Sequence, residues 1–164
     1  IDIAQTFEKF GKKKKKAEIA IREARFEDLP AILHLGEALF TSKEPNLYRW
    51  WDEYEVMTFY QDDPELCLVA ETKKHLVGFV LGMIIEKRRS AWTYGHIAWL
   101  GIEASHQRHG IAKRLCLQLR EKMIAEGVRM LLMDTQSSNI AALRFFEKLG
   151  FGKPQRHVYL SQTV

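Results

Sequence analysis

The sequence predicts a mixed α/β fold of the α+β kind, a mostly antiparallel central sheet with helices on both faces. Three observations predict it. Short runs that alternate apolar and polar residues are interleaved with stretches whose apolar residues recur at steps of three and four. Gly, Pro, Asp and Asn fall at the junctions, where helices and strands must stop. The order read from these patterns is β-α-α-β-β-β-α-β-α-β-β, which no all-helical or all-β arrangement fits.

Ile19 to Ala24 alternates and opens the compact part as a strand. A helix is expected over about Glu27 to Phe40, with Leu29, Ile32, Leu33, Leu35 and Leu39 on its apolar side and Pro30 tolerated in its first turn. A second is expected over about Pro45 to Tyr60, carrying Leu47, Trp50, Trp51, Tyr54, Val56, Met57 and Tyr60, with Asp63-Pro64 ending it. Leu66 to Glu71 and Leu76 to Glu86 read as a hairpin around the Lys73-Lys74 turn, and Tyr94 to Ile102 as a third long strand. At His109-Gly110 the period changes. Ile111, Leu115, Leu119 and Met123 follow at helical steps, and Gly127 is the helix stop. Met130 to Met133 is a short apolar strand ending in Asp134; with the strand and helix before it, it suggests one parallel pair. Asn139 can N-cap a helix over Ala141 to Lys148 that stops at Gly150, and a last hairpin is expected over about Phe151 to Leu160.

A single domain is expected over residues 18–164, behind a basic extension over residues 1–17. A chain of 164 residues can bury roughly 70% of its unfolded surface, enough for a core without metals or disulfides. Its 46% hydrophobic and 28% charged residues exclude the disordered, collagen-like and membrane-embedded classes. The net charge of +4 is unevenly placed: the extension holds six lysines against Asp2 and Glu8, and the rest of the chain carries nineteen bases and nineteen acids. The basic character thus belongs to a run of mutually repelling lysines and does not make the domain a nucleic-acid binder. Cys67 and Cys116 lie far apart with no CxxC, as reduced core thiols of a cytoplasmic protein would. His106 and His109 have no evident set of further ligands around them, so no metal is expected. The longest nearly apolar run, Leu76 to Ile85, is about half the ~20 residues that cross a bilayer, and the N-terminal segment lacks a signal-peptide apolar region. A cytoplasmic location without a membrane partner is the expectation.

The sharpest local signal is Gln107-Arg-His-Gly-Ile-Ala112, set between an apolar strand and an amphipathic helix. A glycine there lets the backbone approach a ligand closely. The amide N–H groups of the first helical turn, at the positive end of the helix dipole, can then cradle a phosphate. Arg108, His109, Lys113 and Arg114 add charge or donors around that point.

Together with Leu100-Gly-Ile102 before it and Asn139-Ile-Ala-Ala-Leu-Arg-Phe-Phe-Glu-Lys-Leu-Gly-Phe151 after it, this motif resembles the acetyl-CoA site of the GNAT superfamily of N-acetyltransferases. The resemblance covers about residues 19–160 and is strongest over 96–151. It implies a GNAT-like sheet with a splayed parallel strand pair, acetyl-CoA as cosubstrate, an amine acceptor, and a family tendency to form homodimers. Gln107, Arg108, His109, Gly110, Ile111, Ala112 and Lys113 would hold the pyrophosphate, chiefly through backbone amides. Leu100, Gly101 and Ile102 would pair with the pantetheine amides where the strand leaves its neighbour. Asn139 would reach the cofactor arm, besides its plain role as a helix cap. One position departs from the pattern. Many members carry a tyrosine, acid to the leaving thiolate, just before Glu-Lys-x-Gly-Phe; this chain has Phe146 there, which cannot donate a proton and which the resemblance would set beside the cofactor.

The implied reaction sets further demands. An amine attacks a thioester only when unprotonated, so it needs a base or a water relay, and the oxyanion needs donors, which the strand splay could supply. Asp134, at the end of its apolar strand, is the first candidate base, with a solvated strand-end carboxylate as the plain alternative. His96 is the second, expected on the strand face shared by Ala98, Leu100 and Ile102, against the alternative of a core histidine. Glu103 is third, as a polar residue leaving the strand. Tyr159 in the last hairpin, or Tyr94, could supply the missing acid. Residues 43–65 hold seven acids against Lys43 and Arg49, an acidic wall that would steer a cationic amine, or an ordinary solvated face. Residues 104–122 hold five bases and one acid, which suits the polyphosphate end. Trp50, Trp51 and Tyr54 either line an acceptor pocket or belong to the core. The expected function is transfer of the acetyl group of acetyl-CoA to a primary amine, a peptide N-terminus or a small cationic molecule, by direct attack in a ternary complex. The alternative, motivated by Phe146, is a noncatalytic acyl-CoA-binding or regulatory module.

Overall fold

The computed structural model describes residues 18–40, 50–152, 154–160 and 162–164; the basic extension and the first part of the second expected helix lie outside them. Strand β1 (Ala20–Glu23) leads through a 3-10 turn into helix α1 (Leu29–Phe40). Helix α2 (Glu53–Asp62) is followed by a turn at Pro64–Leu66 and by β2 (Cys67–Glu71), β3 (Leu76–Glu86) and β4 (Thr93–Ile102). A turn at Ala104–His106 then precedes α3 (Ile111–Ala125), β5 (Val128–Met133) and α4 (Ile140–Lys148). The five strands lie in the order β1-β2-β3-β4-β5. Neighbours from β1 to β4 are antiparallel, and β4 and β5 are parallel, joined by α3 as the crossover.

The helices cover both faces of the sheet. On one side Ile111, Leu115, Leu119 and Met123 of α3, with Phe146 of α4, pack on Leu68, Ala70, Val80 and Ile97. On the other, Leu29 and Ile32 of α1, Val56 and Phe59 of α2, and Trp51 pack on Val69, Phe79, Leu81 and Trp99. Glycines set how closely the layers approach. A Cβ on Gly95 would lie 2.6 Å from Met123 Sδ, and one on Gly36 would lie 2.0 Å from the Trp51 ring. Cys67 and Cys116 are buried free thiols, each pushed up to about 12 by burial. Among the described residues no helix is long and apolar enough to cross a membrane.

Three expectations are corrected. The second helix begins at Glu53, because Asp52 takes an extended backbone and its Oδ1 accepts the N–H of Glu55 at 2.9 Å, an N-cap that fixes the start. Among the described residues of the expected last hairpin, from Phe151 to Leu160, there is no strand, and Val158, Tyr159 and Leu160 are exposed. Its apolar stretch is only three residues long, too little to hold a two-stranded ribbon by itself. The third correction concerns β4. Leu81 pairs with Trp99 but Gly82 pairs with Ile97, so Ala98 is an extra residue, a β-bulge. One extra residue inverts the alternation beyond it. His96 therefore shares the α1/α2 side with Ala98 and Trp99, whereas Leu100 and Ile102 face α3 with Ile97.

Candidate active site

Two strands that part within the sheet create the site. β5 accompanies β4 only from Thr93 to Ile97, the last pair being Ile97 with Met133, while β4 runs on to Ile102 beside β3. The split thus opens at Ala98, two residues before the expected Leu100, because β5 gives way there to Asp134 and a loop. In this parallel register His96 pairs with Leu132, so Asp134 emerges on the face of His96. The two candidate bases meet: His96 Nε2 lies 2.9 Å from Asp134 Oδ1, with side chains 23% and 35% exposed. An ionised carboxylate only accepts, so it selects the imidazole tautomer with hydrogen on Nε2 and leaves Nδ1 as the proton acceptor. Such a pair can take a proton from an incoming amine.

The second half of the site is the loop after β4. Gln107 Nε2 donates to the carbonyl of Ile102 at 3.0 Å, tying the loop back to the strand. Arg108 (φ 62°) and Gly110 (φ 77°) both adopt left-handed backbone. For an arginine this conformation costs about 1–2 kcal/mol, strain of the sort held at ligand sites. Gly110 is the N-cap of α3 and has no side chain to accept from the first turn. The first-turn amides of Ile111, Ala112 and Lys113 therefore have no capping side chain, and with Arg108 and His109 just before them in the chain they make a donor set that fits a pyrophosphate.

Other expected residues divide. Asn139 is the N-cap of α4, its Oδ1 accepting from Ala142 N–H at 3.2 Å and its Nδ2 donating to Thr135 Oγ1 at 3.3 Å. Phe146 is 6% exposed, packed edge-on against Phe145 and Phe151. Gly101 lies under Leu39 and Phe79, either of which a Cβ would crowd. Tyr159 is 62% exposed, in the segment without regular structure. Trp51 is core, its indole N–H donating to the Leu33 carbonyl at 3.0 Å, while Trp50 and Tyr54 are exposed. Within the acidic stretch Asp52 caps α2, Glu55 accepts from the Trp99 indole at 2.8 Å, and Asp63 accepts from Ile84 N–H at 3.0 Å. Three of the seven carboxylates thus hold structure together; Glu53, Asp62 and Glu65 are exposed.

Sequence reasoning missed a cluster at the end of β4. Glu103 Oε2 is approached by His106 Nδ1 at 2.7 Å and His75 Nε2 at 3.3 Å. No local signal marks His75, which reaches Glu103 only because the β2–β3 turn folds over the end of β4. No group of three or more His, Cys, Asp or Glu side chains suited to a metal occurs among the described residues.

The site thus joins a sheet that splits between two parallel strands to a helix whose first turn carries no side-chain cap. Over residues 30–151 the chain matches the model of the acetyltransferase (GNAT) family, and it belongs to that family, whose members are acetyl-CoA-dependent acyltransferases. An acetyltransferase of Pectobacterium atrosepticum is 31% identical over 133 residues, covering 80% of this chain and 86% of its own. One of Sodalis glossinidius is 29% identical over an equal length. Among solved structures, the NatC complex bound to a Gag peptide and CoA is similar at a TM-score of 0.74 and 26% identity, over 85% of this chain and 87% of its own. An aminoglycoside acetyltransferase from an uncultured soil metagenomic sample, at 20% identity, shares the fold at a TM-score of 0.69 over 89% of this chain and 96% of its own.

Proposed function

We propose that this chain transfers the acetyl group of acetyl-CoA to a primary amine by direct attack in a ternary complex, with a peptide N-terminus as the favoured acceptor. The observation that carries the reading is the His96–Asp134 pair at the mouth of the β4–β5 split, on the face of α1 and α2. The amine approaches from that face. His96 takes its proton, directly or through one water, and Asp134 orients the ring and stabilises the imidazolium that forms. Leu100 to Ile102 of β4 would hold the pantetheine arm, and the amides from His109 to Lys113 would hold the pyrophosphate. A thiolate leaving group has a pKa of about 8–9 and departs without a strong acid, so Phe146 is compatible with turnover. The likeness to a NatC structure holding a peptide supports the peptide acceptor.

Release of CoA, followed with a panel of peptides and small amines, tests the reading. Asp134→Asn is expected to lower kcat roughly tenfold or more while CoA affinity stays within about twofold, the low side of general-base effects. Unchanged kinetics would remove Asp134 from the mechanism. A second reading, a noncatalytic acyl-CoA-binding module, draws on Phe146, buried and without a hydroxyl. Tight CoA binding with no turnover on any member of the panel would select it.

A further inference from the structure

We infer that Glu103 is a positioning residue of the coenzyme loop, acting through His106 and braced from the opposite side by His75. The inference rests on the reading of Gln107–Ala112 as the pyrophosphate cradle. Glu103 follows β4 directly, and its N–H donates to the Val77 carbonyl at 2.8 Å, which ties its backbone to β3. Its Oε2 accepts from Ser105 Oγ at 3.0 Å and faces His106 Nδ1 at 2.7 Å and His75 Nε2 at 3.3 Å. His106 N–H also donates to the Glu103 carbonyl at 2.8 Å, so the turn that leads into Gln107 is held through both backbone and side chain. His75 belongs to a turn shaped by Thr72, whose N–H donates to the His75 carbonyl at 3.0 Å and whose Oγ1 accepts from His75 N–H at 3.2 Å. Three segments therefore converge on one carboxylate oxygen: the β2–β3 turn, the end of β4 and the entry to the loop.

Both imidazoles aim a ring nitrogen at that oxygen, so the cluster is a hydrogen-bond hub and does not enclose an ion site. Burial would raise the Glu103 carboxyl, but hydrogen bonds from His75, Ser105 and His106 outweigh it and hold it below the usual carboxylate range. The charge itself is misplaced for binding an anion. Glu103 is the one acid between residues 103 and 120, in a stretch with Arg108, Lys113, Arg114 and Arg120 and close to a phosphate cradle. Coulomb repulsion alone would make it a liability there. Its use is geometric: it fixes the turn from which the left-handed Arg108 and Gly110 present the loop amides, and a preorganised cradle loses less freedom when the ligand binds.

Charge and geometry predict opposite outcomes, which makes the test decisive. CoA binding to the full chain is measured by calorimetry for Glu103→Ala, Glu103→Gln and His75→Ala. If Glu103 positions the loop, Glu103→Ala weakens CoA about tenfold, on the scale of one charge-assisted hydrogen bond. Glu103→Gln keeps an acceptor oxygen and recovers most of that loss. His75→Ala, on an exposed turn, weakens binding about two- to threefold and adds nothing to Glu103→Ala, as members of one network do. Unchanged or tighter binding in Glu103→Ala overturns the inference, as do equal losses for Ala and Gln. Should Glu103→Ala fail to fold, His75→Ala decides, and unchanged CoA affinity in it overturns the bracing role. Gly110→Asp separates this inference from the reading beneath it. Normal CoA binding in Gly110→Asp sinks the cradle and both claims; its loss, with Glu103→Ala unaffected, sinks the hub alone.

Discussion

In the sequence Asp134 and His96 are separate candidate bases, ranked first and second, and the structure joins them as one unit at 2.9 Å. Groups that act as a unit are not additive in their effects. His96→Gln alone should therefore cost about as much kcat as the double variant with Asp134→Asn, read by CoA release at saturating amine. Independent, multiplying losses would show that the two act separately. Gly110 is constrained by its left-handed φ of 77°, with nothing within 4 Å of a Cβ placed there. Gly110→Ala should fold with a strain of about 1–2 kcal/mol. Gly110→Asp should bring a carboxylate against the phosphate and abolish CoA binding in calorimetry.

At the scale of elements, the decisive features are a bulge and a short strand. The bulge at Ala98 lets one strand carry His96 and Trp99 on the α1/α2 face and Ile97 and Leu100 toward α3. The end of β5 at Met133 leaves β4 to continue alone on that side. Helix α3, whose N-terminus we propose as the cradle, is seated by close approach to the sheet at Gly95, beneath Met123 and Leu131. Gly95→Val would overpack that seam. The expected cost is about 1–3 kcal/mol in urea unfolding, with weaker CoA binding as the helix lifts; a variant as stable as the parent would show that the seam has slack.

Over the whole molecule, charge is organised more locally than the net value suggests. The chief ion-pair network lies away from the candidate site, where Arg22 bridges Asp28 (2.6 Å) and Glu71 (2.8 Å) and joins β1, β2 and the turn before α1. Its hydrogen bonds hold both carboxyls below their ordinary values. A carboxylate depressed in the folded state contributes stability that is present above its unfolded pKa of about 4 and is lost as pH falls through the lower folded value. The melting temperature should therefore fall steeply with acidification below about pH 5. Arg22→Met should melt lower at pH 7 and fall less over that window, so the two curves converge in acid. Parallel curves would mean that the fork contributes nothing to the acid transition.

The sequence by itself determined most of the secondary structure, the parallel pair, the family and the glycine that starts α3. Each of these rests on information that is local along the chain: a repeat of 3.6 or 2 residues, a glycine at a helix start, a fixed spacing between blocks. Other features required the tertiary structure. The bulge at Ala98 has no signature in its own residues, since it exists only as a mismatch between β3 and β4, and without it plain alternation sets His96 on the face of Leu100 and Ile102 as well as Ala98. The expected final hairpin is absent among the described residues because alternation supplies a pattern but no partner surface. Glu103 could not be valued from its place in the chain, because His75 comes from a turn 28 positions earlier. Contacts of that separation are set by how the strands align and where the chain turns, and only the folded sheet contains that information.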